Sequence, residues 1–112
     1  ELKNRAPAES SAEIKKRVDA ARKAQQERFK DTDINSNANM DTKALNRYCI
    51  LTPECEALMH QAFDRMGLTA RSYDRILRVA RTIADLEGAE NIEATHIAEA
   101  IQYRTYDFRT NI

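Results

Sequence analysis

The stretch from Gly67 to Gly88 constrains the fold more than any other, because it reads as one long amphipathic helix with a stop signal at each end. No Gly or Pro interrupts it, Thr69 is placed to cap its start, and Gly88 is placed to end it in a left-handed turn. At about 100° per residue, Tyr73, Ile76, Leu77, Ala80, Ile83 and Ala84 share one face, while Arg71, Arg75 and Arg78 line the opposite one. A single helix therefore carries a core stripe and a basic stripe.

Arg71 stands against the local rule, since the macrodipole disfavours a cation in the first turn. Either its side chain simply extends into solvent, or it holds an anion together with the free N–H groups of the helix start.

Around this helix the spacing predicts four more. A serine cap at Ser10 or Ser11, with Glu13 in the first turn, opens a helix to about Lys30. Its stripe, Ile14, Val18, Ala21, Gln25 and Phe29, is thin, and its other faces carry Lys15, Lys16, Arg17, Arg22, Lys23 and Arg28. Such charge serves as a solvated face or as a surface for a partner or nucleic acid. Residues 31–41 are rich in Asn and Asp and predict a loop. They lack the central Gly and terminal Glu of a calcium loop, which excludes that ion. Asp41 or Thr42 caps a short helix to about Tyr48, burying Leu45 and Tyr48.

Thr52, Pro53 and Glu54 form a helix start, with cap, proline at the first helical position and an acid in the first turn. That helix runs to Met66 and presents Cys55, Leu58, Met59, Ala62, Phe63 and Met66. The short link through Leu68 then predicts a helical hairpin with the 69–86 helix. Ile92 plugs the core, and a last helix from about Ala94 to Arg104 turns Ile97, Ala100 and Ile101 inward, with Tyr103 and Tyr106 nearby. The expected architecture is all-α, a five-helix bundle in residues 10–106. Residues 1–9 read as a connection from an upstream unit, and 107–112 as a frayed tail.

The chain has 112 residues, 42% hydrophobic and 32% charged, enough for a core without disulfides or metal staples. Its formal net charge is zero, so any basic function is local. No apolar run approaches a membrane span and no signal-peptide core is present, which makes the cytoplasm the default location and a membrane partner unexpected. Cys49, Cys55 and His60 are the one conceivable zinc cluster, yet they lack the two tight ligand pairs of a structural site; cysteines buried among helices are the expected reading. No phosphate-binding loop, dinucleotide fingerprint or catalytic serine elbow occurs, and neither His60 nor His96 is spaced to activate a nucleophile, so the chain by itself is not expected to be catalytic.

The run Leu68-Thr-Ala-Arg-Ser-Tyr-Asp-Arg-Ile-Leu-Arg-Val-Ala-Arg-Thr-Ile-Ala-Asp-Leu86 resembles the C-terminal domain of magnesium chelatase-related AAA+ ATPases, the ComM group. The likeness extends to Ser11, Ile14, Arg17, Val18, Ala21, Arg22, Gln25 and Arg28, to Asn37, Ala38 and Met40, and to the segment from Ile92 through His96 and Ile97 to Tyr103 and Arg104. It implies a helical lid over a nucleotide held by an upstream AAA+ core of the same chain. It further implies that Arg71 is a sensor 2 arginine reaching the γ-phosphate of ATP, whose magnesium is held mainly by that core. Arg75 and Arg78, with Arg17, Arg22 and Arg28, are then candidate contacts to DNA or to a neighbouring subunit of a homo-oligomeric ring. The parent enzyme would be an ATPase acting on DNA in competence or recombination. The alternative is a helical nucleic-acid-binding or subunit-interaction module without nucleotide contact.

Overall fold

The computed structural model describes residues 10–110, with side chains as far as Tyr103. The expected connection at 1–9, the last two residues of the tail and the side chain of Tyr106 lie outside the described residues. Among those residues there are five α-helices and no strand: α1 (Ser11–Arg28), α2 (Thr42–Tyr48), α3 (Pro53–Met66), α4 (Ala70–Leu86) and α5 (Ala94–Thr110). A short 3-10 turn at Asn37–Asn39 interrupts the loop between α1 and α2. The helix expected to end near Arg104 continues to Thr110.

The helix starts follow from their caps. The side chains of Ser10, Asp41, Thr52 and Thr69 accept from the backbone N–H of Glu13, Ala44, Cys55 and Ser72 respectively. Each satisfies a donor that would otherwise be orphaned, an effect of about 1 kcal/mol. The ends are equally explicit. Gly67 adopts φ 62° and donates to the Phe63 carbonyl. After α4, Gly88 adopts φ 74° and donates to Asp85, while Ala89 donates back to Ala84 at 2.8 Å. This paired closure is a Schellman motif, which requires a residue that tolerates the left-handed region.

The core lies between α4 and α5, with α1, α2 and the 3-10 turn laid along α4 and α3 laid along α5. Ile76, Leu77, Ala80, Ile83 and Ala84 of α4 are buried, as the helical period predicts, with Tyr73 half-buried. Met40, Leu45, Met59, Ile92 and Ile97 complete the interior. Phe29 meets Tyr48 edge-on with ring centroids 5.3 Å apart, closing the α1–α2 corner.

Two packing expectations change. The α3–α4 hairpin does not form as a packed pair, because α3 takes α5 as its partner. Leu68 is buried directly after the left-handed Gly67, and Cys55 at the head of α3 lies with its Sγ 3.8 Å from the Ile92 carbonyl, just before α5. These anchors swing α3 toward α5 and leave Phe63 and Met66, expected in the apolar face, exposed near its end. In α1 only Ala21 is fully buried and Ile14 is exposed, so the helix is held mainly through its C-terminal half. Tyr103 also points out to solvent.

Candidate functional site

The polar side of α4 divides into an exposed upper part and a wired lower part. Thr69 caps the helix, and Arg71 is its second residue, exposed to solvent. One turn further, Arg75 is also exposed. The next member of the stripe behaves differently: Arg78 is half-buried, and its Nε donates to the Met40 carbonyl at 2.8 Å, so this guanidinium ties α4 to the end of the 3-10 turn. Arg75 and Arg78 border a shallow depression whose remaining walls are Ala38, Val79 and Thr82. Arg71 is outside that lining.

Behind the Thr82 wall sits a charged network that is the most elaborate polar feature of the interior. Arg28 forks onto the Asp85 carboxylate with contacts of 2.8 and 2.9 Å, and its Nη1 also donates to Asn37 Oδ1 at 3.0 Å. Asn37 Nδ2 donates to Asp85 Oδ2 at 2.8 Å and to Thr82 Oγ1 at 3.2 Å, while its backbone N–H donates to Gln25 Oε1 at 2.8 Å. Arg81 approaches the same carboxylate at 3.3 Å and donates to the Ala89 carbonyl at 3.1 Å. Burial lowers the Arg81 pKa below the usual arginine value, and the Asp85 charge opposes that shift. Its Nε is buried without a hydrogen-bond partner. One carboxylate thus serves two guanidinium groups.

This placement separates the basic residues named from the sequence. Arg17 and Arg22 are both exposed, Arg17 bordering a depression with Ile83 and Leu86 of α4 and Glu99 of α5, whereas Arg28 is spent on Asp85 with its side chain only 15% exposed. The Asp85 carboxylate, at the penultimate residue of α4, draws Arg28 inward. Arg78 is likewise partly committed to structure. The structure does not bring Arg71, Arg17 and Arg22 into one cluster with the Arg75–Arg78 depression.

The roles of Asp85, Arg81, Asn37 and Gln25 escaped the sequence reading. A signal was present, since Arg81 lies one turn after Leu77 and its i+4 partner Asp85 follows Ala84, which puts a charged pair on the border of the core stripe.

Both cysteines and one histidine, His96, are buried within the fold. Cys49 and Cys55 are free and buried, and His60 is exposed on α3. Burial pushes the Cys49 thiol up to about 11, against the pull of Arg81 and Arg28. His96 is buried at the third position of α5, where Nδ1 accepts from the Glu93 backbone N–H at 2.9 Å and Nε2 meets Glu87 Oε1 at 2.9 Å. The first bond ties the His96 ring back to the start of α5, in the manner of a capping box. No group of three side chains suited to a metal gathers among the described residues. No helix among them is long and apolar enough to cross a membrane.

The family described as "Magnesium chelatase, subunit ChlI C-terminal" matches residues 8–104. The chain is 39% identical over 99 residues to the uncharacterized protein YifB of Salmonella typhimurium, an alignment covering 88% of this chain and 19% of that protein. It is 38% identical over 96 residues to competence protein ComM of Haemophilus influenzae, covering 86% of this chain and 18% of that protein. An uncharacterized protein of Mycobacterium tuberculosis is 31% identical over 88% of this chain and 20% of its own length. The chain spans about a fifth of the length of these relatives. By the extent of the family match and the agreement of the all-helical fold with it, the chain belongs to the magnesium chelatase subunit ChlI C-terminal family.

Proposed function

We propose that this chain is the C-terminal helical lid of a ComM-like AAA+ ATPase, in which Arg71 contacts the γ-phosphate of ATP and couples hydrolysis to lid movement. The observation that carries the reading is the position of Arg71: an exposed cation in the first turn of a capped helix whose opposite face is locked into the core. An unpaired cation is unfavourable there by a few tenths of a kcal/mol, about 0.3 at least, and an anion at the same helix end would reverse the sign. The rigidity of α4 gives such a contact mechanical meaning, because Arg71 and the Asp85 network sit at opposite ends of one helix. Movement at the phosphate would be passed to α1 as a rigid displacement.

In this reading residues 1–9 lead from the upstream core, residues 10–106 form the lid, and the core supplies most of the contacts to ATP and its magnesium. The parent assembles as a homo-oligomeric ring in the cytoplasm. Likeness to a competence protein favours a motor acting on DNA over one that inserts a metal. Arg22, the outward part of Arg78, and Arg17 and Arg75, which also interact within the chain, are the candidate contacts to DNA or a neighbouring subunit.

The test is ATP turnover by the full-length parent, wild type against Arg71→Ala, with nucleotide affinity measured in parallel. A loss of at least tenfold with folding intact, about 1.4 kcal/mol of transition-state stabilisation, is expected. Unchanged turnover would remove Arg71 from the phosphate and leave the domain as a nucleic-acid-binding or subunit-interaction module.

A further inference from the structure

Two exposed features of the fold complement one another. In the link between α2 and α3, Cys49 is buried and Leu51 half-buried, so Ile50 between them is turned outward. At 74% it is the most exposed large hydrophobic side chain among the described residues. Close before it in the chain, the exposed Arg47 lies over the Tyr48 ring at 5.2 Å from the centroid, and Phe29 braces that ring edge-on. This guanidinium is therefore held in place by an aromatic face, with its donors pointing elsewhere. Lys43, one turn earlier on α2, is exposed as well. The result is an apolar knob with a basic collar.

A depression of about 260 Å³ between α1, α4 and α5 has the opposite character. Ile14, Val18, Ile83 and Leu86 give it apolar walls, and Glu87 and Glu99 bring two carboxylates to its lining. Ile14 is exposed there although it belongs to the apolar stripe of α1. Glu87 meets His96, and Arg17, which also borders the depression, interacts within the chain. Glu99 is exposed and forms no ion pair among the described residues.

We propose that this depression receives Ile50 and Arg47 of a second copy of the chain, with Ile50 against Ile14 and Val18 and Arg47 reaching Glu99. The contact takes two exposed apolar surfaces out of water, and the opposite charges beside them set its orientation. Knob and depression share no residue, so the contact is heterologous: a copy that uses one keeps the other, and repetition builds a ring or an open chain. The contact stands on these surfaces alone; its use in closing a ring rests on the homo-oligomeric reading above.

The test is sedimentation velocity of the 112-residue chain from micromolar to millimolar concentration at low salt, with amide chemical shifts followed on dilution. Wild type should form species above the monomer that dissociate as salt is raised, and dilution should move the amides of both Ile50 and Val18. Arg47→Glu and Glu99→Arg should each weaken association by about fivefold or more with unchanged circular dichroism. Mixing the two variants should restore it, because the intact knob of one fits the intact depression of the other. Ile50→Asp should also prevent association, whereas Phe63→Asp, at an exposed apolar position of α3, should not. A monomer at every concentration, a mixture that stays monomeric, or association lost through Phe63→Asp and kept in Ile50→Asp overturns the proposal. Turnover of the parent ATPase and its dependence on Arg71 are read separately, so either idea can fail while the other stands.

Discussion

Asp85 is 4% exposed and its carboxylate is shared by Arg28, Arg81 and Asn37, so its chemistry differs from that of any surface acid in the chain. Asp85→Ala should destabilise the fold by about 3–5 kcal/mol in urea unfolding, because it strands two guanidinium groups with no counter-charge. Lys15 and Asp19, which also form an ion pair at 2.9 Å, are both largely exposed, and Asp19→Ala should change stability by less than about 0.5 kcal/mol. Cys49 offers a test with a pH axis. Burial raises its folded-state pKa to about 11 from an ordinary value of 9.0. The native thiol thus keeps its proton where the unfolded thiol loses it, and stability attributable to this group is intact below pH 9 and falls as pH rises toward 11. The loss amounts to about 2–3 kcal/mol across that window. Unfolding curves of wild type and Cys49→Ala should therefore converge with rising pH, and parallel curves would show that burial does not hold the thiol neutral.

At the scale of elements, α4 was legible because its period, cap and terminal glycine all agree, and its buried apolar residues all lie on the face read from the spacing. Gly88→Ala should cost about 1 kcal/mol in thermal or urea unfolding, since a Cβ at φ 74° is strained although nothing crowds it. A neutral outcome would mean that the end of α4 relaxes without loss. The α3–α4 pairing was not legible, because link length alone does not reveal that Leu68 and Cys55 are drawn to different parts of the core. The same holds for the polar network. Arg28, Asn37 and Asp85 are far apart in sequence, and only the folding of the 31–41 loop against α4 brings the amide to the carboxylate. Of the candidate site, the stripe of Arg71, Arg75 and Arg78 was visible from helical period. The inward commitment of Arg78 was not, because its acceptor is a backbone carbonyl, which carries no residue-type signal.

For the whole molecule, the contrast between α1 and α4 sets an order of opening. Seven residues of α4 are buried, against one residue of α1. The first part of α1, residues 11–17, is exposed throughout, and what fixes the helix is the group of Gln25, Arg28 and Phe29 near its end. Protection in native-state hydrogen exchange follows the free energy of the cheapest opening that exposes an amide. Amides of residues 14–20 should therefore exchange through local fraying, while those of Ile76 to Ala84 should exchange only with global unfolding. Asp85→Asn removes the charge that holds Arg28 but keeps the shape of the side chain. In that variant the amides of residues 21–28 should lose protection and join the fraying set, with Ile76 to Ala84 retaining the global value reduced by the variant's own destabilisation. Equal loss of protection in α1 and α4 would mean that the two helices open as one unit and that the Arg28–Asp85 pair is not the fastening between them. The distinction bears directly on the proposed lid, because a rigid α4 with a separately fastened α1 can pass a displacement at Arg71 to the adjoining chain only while that fastening holds.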